Sequence, residues 1–309
     1  MHTAPEHRSR RALLKSTVLA ATGLLAAARV RPVGNRRAAL SRSTGGHMQT
    51  VTSRDRARIA FWRSGTGPPL LLVHGGTYDH TTAWRFVVPE LERHFTLYAM
   101  DRRGRGGSGD SPAYELQREA EDVAAVADSI GEPVNLLGHS YGALCAVEAA
   151  LLTTNLRRLI LYEGVPLRGA NYYPPGMIER LEALLEAGDV EGMLITMMRE
   201  VIQRPPEEIE LLRSQREDWA ARLRNAPTIP REMRGEQGYV FVPERFSNLR
   251  TPTLLLVGGD SPPAELENAK GVSDVLPDAR VVLLSGQRHT AMITAPDVFI
   301  GEVVRFLES

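Results

Sequence analysis

The chain has 309 residues, 43% of them hydrophobic and 24% charged, with 27 Gly and 20 Pro, a globular composition that excludes disordered and fibrous proteins. A single cysteine, Cys145, excludes disulfide frameworks and cysteine-rich zinc sites. Net formal charge is zero, but residues 1–47 hold nine Lys or Arg against one acid, Glu6, which leaves the remaining 262 residues at −8 and makes nucleic acid a poor partner.

In Ser9-Arg10-Arg11-Ala12-Leu13-Leu14-Lys15 an arginine pair precedes a mildly apolar run from Ser16 to Leu25, and Ala26-Ala27-Ala28 supplies the small residues at which a signal peptidase cuts. This order resembles a twin-arginine export signal, with Leu13 where Phe is commoner. An apolar stretch of 13 residues is too short to span a bilayer, so stable membrane insertion is not expected. Residues 1–47 are therefore read as leader and linker of an extracytoplasmic protein. The alternative is translation from Met48, which would give a cytoplasmic one.

From Met48 onward short apolar runs alternate with amphipathic ones. Strands are expected at 69–73, 95–100, 134–137, 159–162, 253–257 and 280–284, each a continuous apolar run of strand length. Between them the pattern predicts helices at 116–130, 141–152 and 296–307. Strands buried on both faces and separated by helices imply an α/β fold with a mostly parallel central sheet. The alternation breaks once, over 164–250. There Ile178, Leu181, Leu184 and Leu185 fall at helical spacing up to Gly188, a second helical stretch covers 190–203, and a third starts after Pro205-Pro206. This segment is expected to be a helical cap inserted between two core parts, 48–163 and 251–309, because so long a structureless loop is improbable. Its methionines, Met177, Met193, Met197, Met198 and Met233, suit either an adaptable pocket or the cap's own core.

Chemistry is expected at Gly138-His139-Ser140-Tyr141-Gly142, a G-x-S-x-G turn between a strand and a helix. Glycines permit the tight turn that exposes the serine hydroxyl at the helix N-terminus. A serine needs a base, and His289 follows the last strand on a loop that should emerge at the same sheet edge. His139 is a sequence neighbour whose side chain should point elsewhere, and His94 lies in a charged surface segment. The base needs a carboxylate to hold its tautomer. Asp260, after the strand ending at Val257, is the expected acid. Glu163, after the strand ending at Tyr162, is its rival, with a hydrogen bond anchoring the cap as its alternative role. His74-Gly75-Gly76 follows the first buried strand, and the amides of Gly76 and Tyr141 are the expected oxyanion donors. His74 itself is expected to pin its loop, Asp79 and His80 to brace theirs, and Cys145 to fill core space. Neither metal-ligand spacing nor a nucleotide fingerprint occurs, so no metal or cofactor is invoked.

Together with Asp101-Arg102-Arg103-Gly104-Arg105-Gly106-Gly107-Ser108-Gly109, these segments resemble the α/β-hydrolase superfamily in order and spacing over residues 50–309, in its esterase and cofactor-free haloperoxidase-like branch. The resemblance implies a serine hydrolase with the triad Ser140, Asp260 and His289, and a structural role for the turn at Asp101. Serine at position 140 departs from epoxide hydrolases and haloalkane dehalogenases, whose nucleophile is aspartate. The implied reaction is cleavage of a small to medium carboxylic ester through an acyl-enzyme. Aminopeptidase, amidase and thioesterase chemistry on the same triad, or a non-catalytic ligand-binding role, are the alternatives.

Overall fold

The computed structural model describes residues 46–309; the leader lies outside the described residues except at its end, where His47 opens the first strand. Eight strands form one sheet: β1 (His47–Thr52), β2 (Arg58–Gly65), β3 (Pro69–Val73), β4 (Thr96–Met100), β5 (Val134–His139), β6 (Leu156–Tyr162), β7 (Thr253–Gly258) and β8 (Ala279–Leu284). Their spatial order is β1-β2-β4-β3-β5-β6-β7-β8. Only β2 breaks the parallel arrangement, running antiparallel to both β1 and β4. All six strands expected from apolar runs are present.

The runs are continuous because the sheet is covered on both faces. In β3, Leu71 and Val73 enter one core while Leu70 and Leu72 enter the other. In β6, Leu159 and Leu161 divide from Ile160 and Tyr162 in the same way. Helices Leu116–Ser129, Tyr141–Ala149 and Pro263–Ser273 cover the first face, and Pro296–Leu307 with the segment around Trp84 covers the second. Helix Leu116–Ser129 ends at Ile130, before Gly131 in a left-handed conformation (φ +80°), the usual way to terminate a helix.

Between β6 and β7 the chain builds a helical layer: Met177–Glu186, Val190–Thr196, Pro206–Ser214, Arg216–Asn225, Ile229–Gln237 and the short Pro243–Phe246. Residues of this layer, including Ile178, Leu181, Met193, Leu212 and Trp219, bury one another in a separate core. The second helix runs into a π-turn, Met197–Val201. Such turns displace the following side chains from the regular helical stripe, and here Met197, Met198 and Val201 reach a cavity wall.

The turn after β4 fastens this layer to the sheet. Asp101 Oδ2 accepts the Gly107 amide at 2.8 Å, and Oδ1 accepts the His80 amide at 2.8 Å and faces the His80 ring at 2.9 Å, which keeps the loop closed. Buried Arg102 meets Glu119 at 2.7 Å and Glu232 of the cap at 3.2 Å, Arg105 pairs with the same Glu232, and Arg231 reaches back to Asp110 at 2.8 Å. Asp101 is thus a turn residue, as expected.

Candidate active site

The backbone between β5 and helix Tyr141–Ala149 turns so sharply that Ser140 takes φ +55° and ψ −131°, a region nearly closed to non-glycine residues. Three glycines outside or beside this turn make the conformation possible. A Cβ on Gly142 would stand 2.4 Å from the Val73 carbonyl oxygen, one on Gly75 would stand 2.9 Å from the Ser140 Cβ, and one on Gly164 would lie 2.4 Å from the Ser140 carbonyl. The Gly75 and Gly164 loops therefore close directly on Ser140, while the first turn of the following helix packs on the Val73–His74 backbone.

Ser140 and His289 line the same cavity, of about 270 Å³, between the C-terminal ends of the strands and the cap. The Ser140 hydroxyl makes no hydrogen bond among the described residues, a loose arrangement common before substrate binds. His289 Nδ1 lies 2.5 Å from Glu163 Oε2, and the other oxygen, Oε1, accepts the Gly258 amide at 2.8 Å and the Ser261 hydroxyl at 2.7 Å. With Nδ1 donating to the carboxylate, Nε2 is left as the proton acceptor. Burial disfavours charge on both partners, but their mutual hydrogen bond and attraction outweigh it. Glu163 is held below its ordinary value of 4.5 and His289 above its ordinary 6.5.

This corrects the expected acid. Asp260 is exposed, its amide donates to the Gln287 carbonyl at 2.9 Å, and its side chain makes no hydrogen bond among the described residues. It lies two residues beyond β7. Glu163 is beside the nucleophile for a reason of register: β6 pairs directly with β5, His139 opposes Tyr162, and the Ser140 amide donates to the Tyr162 carbonyl at 2.9 Å. One step further along each strand lie Ser140 and Glu163. Glu163 itself is left-handed (φ +51°), which turns its carboxylate toward the His289 loop.

Two residues passed over as supports secure that loop. His139 Nε2 donates to the His289 carbonyl at 2.7 Å, and the Tyr162 hydroxyl donates to the Arg288 carbonyl and accepts the Ala291 amide at 2.9 Å. His139 is fully buried, and burial with the charges of His289, Arg204 and Arg222 keeps it neutral. Its Nε2 is thereby engaged with backbone rather than with Ser140. Nothing in the sequence marks Tyr162 beyond its place at a strand end.

The amides of Gly76 and Tyr141 find no acceptor among the described residues, and both residues line the cavity. They are free to meet an oxygen held between them. His74 is a loop pin: Nε2 accepts the Arg102 amide at 3.1 Å and Nδ1 donates to the Gly75 carbonyl at 2.9 Å. Burial and the charges of Arg105 and Arg102 hold it well below its ordinary pKa, hence neutral. Asp79 caps helix His80–Ala83 by accepting the amides of Thr81 and Thr82, and His80 stacks on Trp62 with ring centroids 3.4 Å apart. Cys145 is fully buried and packs in the first core. His94 is half-exposed and meets Glu308 at 3.1 Å. Among the described residues no group of His, Cys, Asp or Glu is arranged to hold a metal, and no helix is long and apolar enough to cross a membrane.

Residues 70–302 match the family model described as the alpha/beta hydrolase family. A crystal structure of an alpha/beta hydrolase from Sphaerobacter thermophilus is 35% identical, superposes with a TM-score of 0.73, and covers 84% of this chain and 100% of its own. A crystal structure of an esterase from a Rhodococcus species is 25% identical, with a TM-score of 0.65, covering 85% of this chain and 98% of its own. Among curated relatives, the N-formylmaleamate deformylase of Pseudomonas putida is 29% identical over 249 residues, 79% of this chain and 90% of its own length. A mostly parallel buried sheet, an elbow serine directly after β5 and this breadth of likeness lead to one conclusion: the chain belongs to the alpha/beta hydrolase family and is a hydrolytic enzyme.

Proposed function

We propose that this enzyme cleaves a small to medium carboxylic acid derivative, an ester in the first instance, through an acyl-enzyme on Ser140. The observation that carries the proposal is the 2.5 Å contact between His289 and Glu163 beside an elbow serine in one enclosed cavity. His289 Nε2 takes the Ser140 proton as Oγ bonds to the substrate carbonyl carbon. The carbonyl oxygen gains negative charge and is met by the amides of Gly76 and Tyr141. His289 then delivers the proton to the leaving oxygen as the bond from carbon to that oxygen breaks. Water enters, gives its proton to His289 and attacks the acyl carbon, and the proton returns to Ser140 as the acid departs. Glu163 stays ionised throughout and steadies the imidazolium.

Amide cleavage by the same steps is the second reading, and the likeness to the deformylase favours it. The experiment is a fluorophosphonate probe followed by p-nitrophenyl esters of increasing acyl length beside N-formyl and anilide substrates. Labelling of the wild-type protein and none of Ser140→Ala is the expected result. Equal labelling of both would remove Ser140 from the mechanism. The fastest substrate class then separates ester from amide chemistry.

A further inference from the structure

The two residues flanking Ser140 face opposite sides of the sheet. Tyr141 packs in the first core, and on its side the cavity wall carries Glu232, which is paired with Arg102 and Arg105. His139 packs against Tyr78, Trp84 and Tyr162 of the second core, and both guanidinium charges that reach it come from the cap: Arg204 and Arg222.

Arg222 is the unusual one. It is 3% exposed, yet among the described residues it forms no ion pair. Its Nη1 donates to the Thr77 hydroxyl at 2.7 Å, its plane lies over the Tyr78 ring at 4.2 Å, and its Nε has no partner. The nearest acid on that loop, Asp79, spends Oδ1 on the helix cap and turns Oδ2 to Asn225 at 3.4 Å. Arg204, by contrast, is matched by Glu208 at 2.9 Å. A buried guanidinium without a counter-ion is strongly disfavoured, and a fork of N–H donors held flat by an aromatic ring is the arrangement that binds carboxylates. Burial without a partner, in the wall of the cavity that holds Ser140, makes sense if the partner arrives with the substrate.

We infer that Arg222 is an anion subsite, and that the substrate carries a carboxylate which docks on the His139 side of Ser140 against Thr77 and Tyr78. On the Tyr141 side Glu232 is already engaged by Arg102 and Arg105, so the guanidinium without a carboxylate partner lies on the His139 side. The inference rests on the hydrolase reading above for the position of the scissile bond, but the anion subsite itself does not depend on turnover.

The test compares two esters of nearly equal length, mono-p-nitrophenyl glutarate and p-nitrophenyl valerate, which differ in a terminal carboxylate against a methyl. The wild-type enzyme should favour the glutarate in kcat/KM. In Arg222→Gln the ratio of glutarate to valerate should fall roughly 30-fold, the scale of losing one partner of a buried charge pair, and Arg222→Lys should restore part of it. A wild-type ratio near one, or a ratio that Arg222→Gln leaves in place, would overturn the inference; valerate hydrolysis that disappears in Ser140→Ala would show that the hydrolase reading survives it. If neither ester is turned over, thermal unfolding of the Ser140→Ala protein decides. Glutarate but not glutaramide should raise its Tm, and adding Arg222→Lys should weaken that shift. An equal effect of the two ligands on Ser140→Ala would sink the anion subsite.

Discussion

The carbonyl oxygen of His289 accepts a hydrogen bond from His139 Nε2 at 2.7 Å, so the residue just before the proposed nucleophile holds the backbone of the proposed base. Elbow and base loop are thereby coupled without sharing a proton. His139 Nδ1, on the other side of the ring, is buried and unpartnered among the described residues, and that ring stays neutral.

His139→Gln should therefore reduce kcat by about 10- to 100-fold, through displacement of the His289 loop, while leaving Ser140 reactive to a fluorophosphonate. His289→Ala should cost about 10⁴-fold or more and abolish labelling. A His139 variant as inactive as His289→Ala would assign His139 to the proton transfer.

Glu163→Gln should lower kcat by about 10³- to 10⁴-fold, since an amide can present its NH₂ to Nδ1 and stabilise the wrong tautomer. Asp260→Asn, at an exposed position with no side-chain hydrogen bond among the described residues, should stay within about threefold of wild type. Steady-state kinetics of the two variants decides between the carboxylates, and the reverse ranking would restore Asp260.

The pH profile follows from the same pair. Activity needs neutral His289, and Glu163 raises that pKa above 6.5, so the acid limb of kcat/KM should fall above pH 6.5 and activity should drop as pH falls through it. In Glu163→Gln only the charge of Glu265 is left to oppose burial, and the limb should move to lower pH. The pair's contribution to stability has the opposite bounds. It is lost at low pH as Glu163 protonates, below its ordinary 4.5, and lost at high pH as His289 deprotonates, above 6.5.

Glu236 gives a stability prediction. Burial pushes its pKa up to about 8, against a hydrogen bond from the Tyr173 hydroxyl that favours the anion. The folded state keeps a proton that the unfolded chain releases near 4.5, so this residue's contribution to stability falls as pH rises from about 4.5 to about 8. Glu236→Gln should flatten that fall, with a higher Tm than wild type at pH 8, by a few degrees on the order expected for ~1 kcal/mol in a protein of this size. Equal melting curves across pH 5 to 9 would show that Glu236 is ionised in the folded state.

Export is proposed from the residues around Arg10 and Arg11 alone. Replacing both by Lys should retain full-length precursor inside the cell, while the native form should begin near Arg29 on N-terminal sequencing. A native protein starting at Met48, with no longer precursor, would remove the leader from the protein.

What the sequence made legible is what burial writes into composition. β3 to β8 can be read because both faces are covered and nearly every residue is apolar, whereas β1 shows only as a strand-like segment after Met48 and β2 not at all: β1 is almost wholly exposed, and both run as an antiparallel edge of mixed residues. Helix Ile229–Gln237 was missed because its charged residues suggest a solvated segment. Instead Glu232 and Glu236 are buried, the first paired with Arg102 and Arg105, and such pairs leave no periodic trace. Ser140 and His289 were legible from strand ends and glycines. The acid was not, because Gly-Gly-Asp after β7 and Glu-Gly after β6 are equivalent as strand-end signals, and strand order and register, which decide between them, are tertiary facts. Glu163-Gly164 held one usable hint: Gly164 is needed where the chain packs on the Ser140 backbone.

That packing divides the enzyme into a part that can vary and a part that cannot. Around Ser140, Gly142 and Gly164 put main chain against main chain and Gly75 sits against the Ser140 Cβ and the His139 ring, so little there can move to absorb a change. Above it the chamber is walled by Met197, Met198, Met233 and Arg222 from an insertion with its own core. New substrate ranges can therefore arise by altering residues 165–250 with the reacting geometry untouched, and a mutagenesis library aimed at specificity should spend its diversity on the cap and leave the three glycines alone.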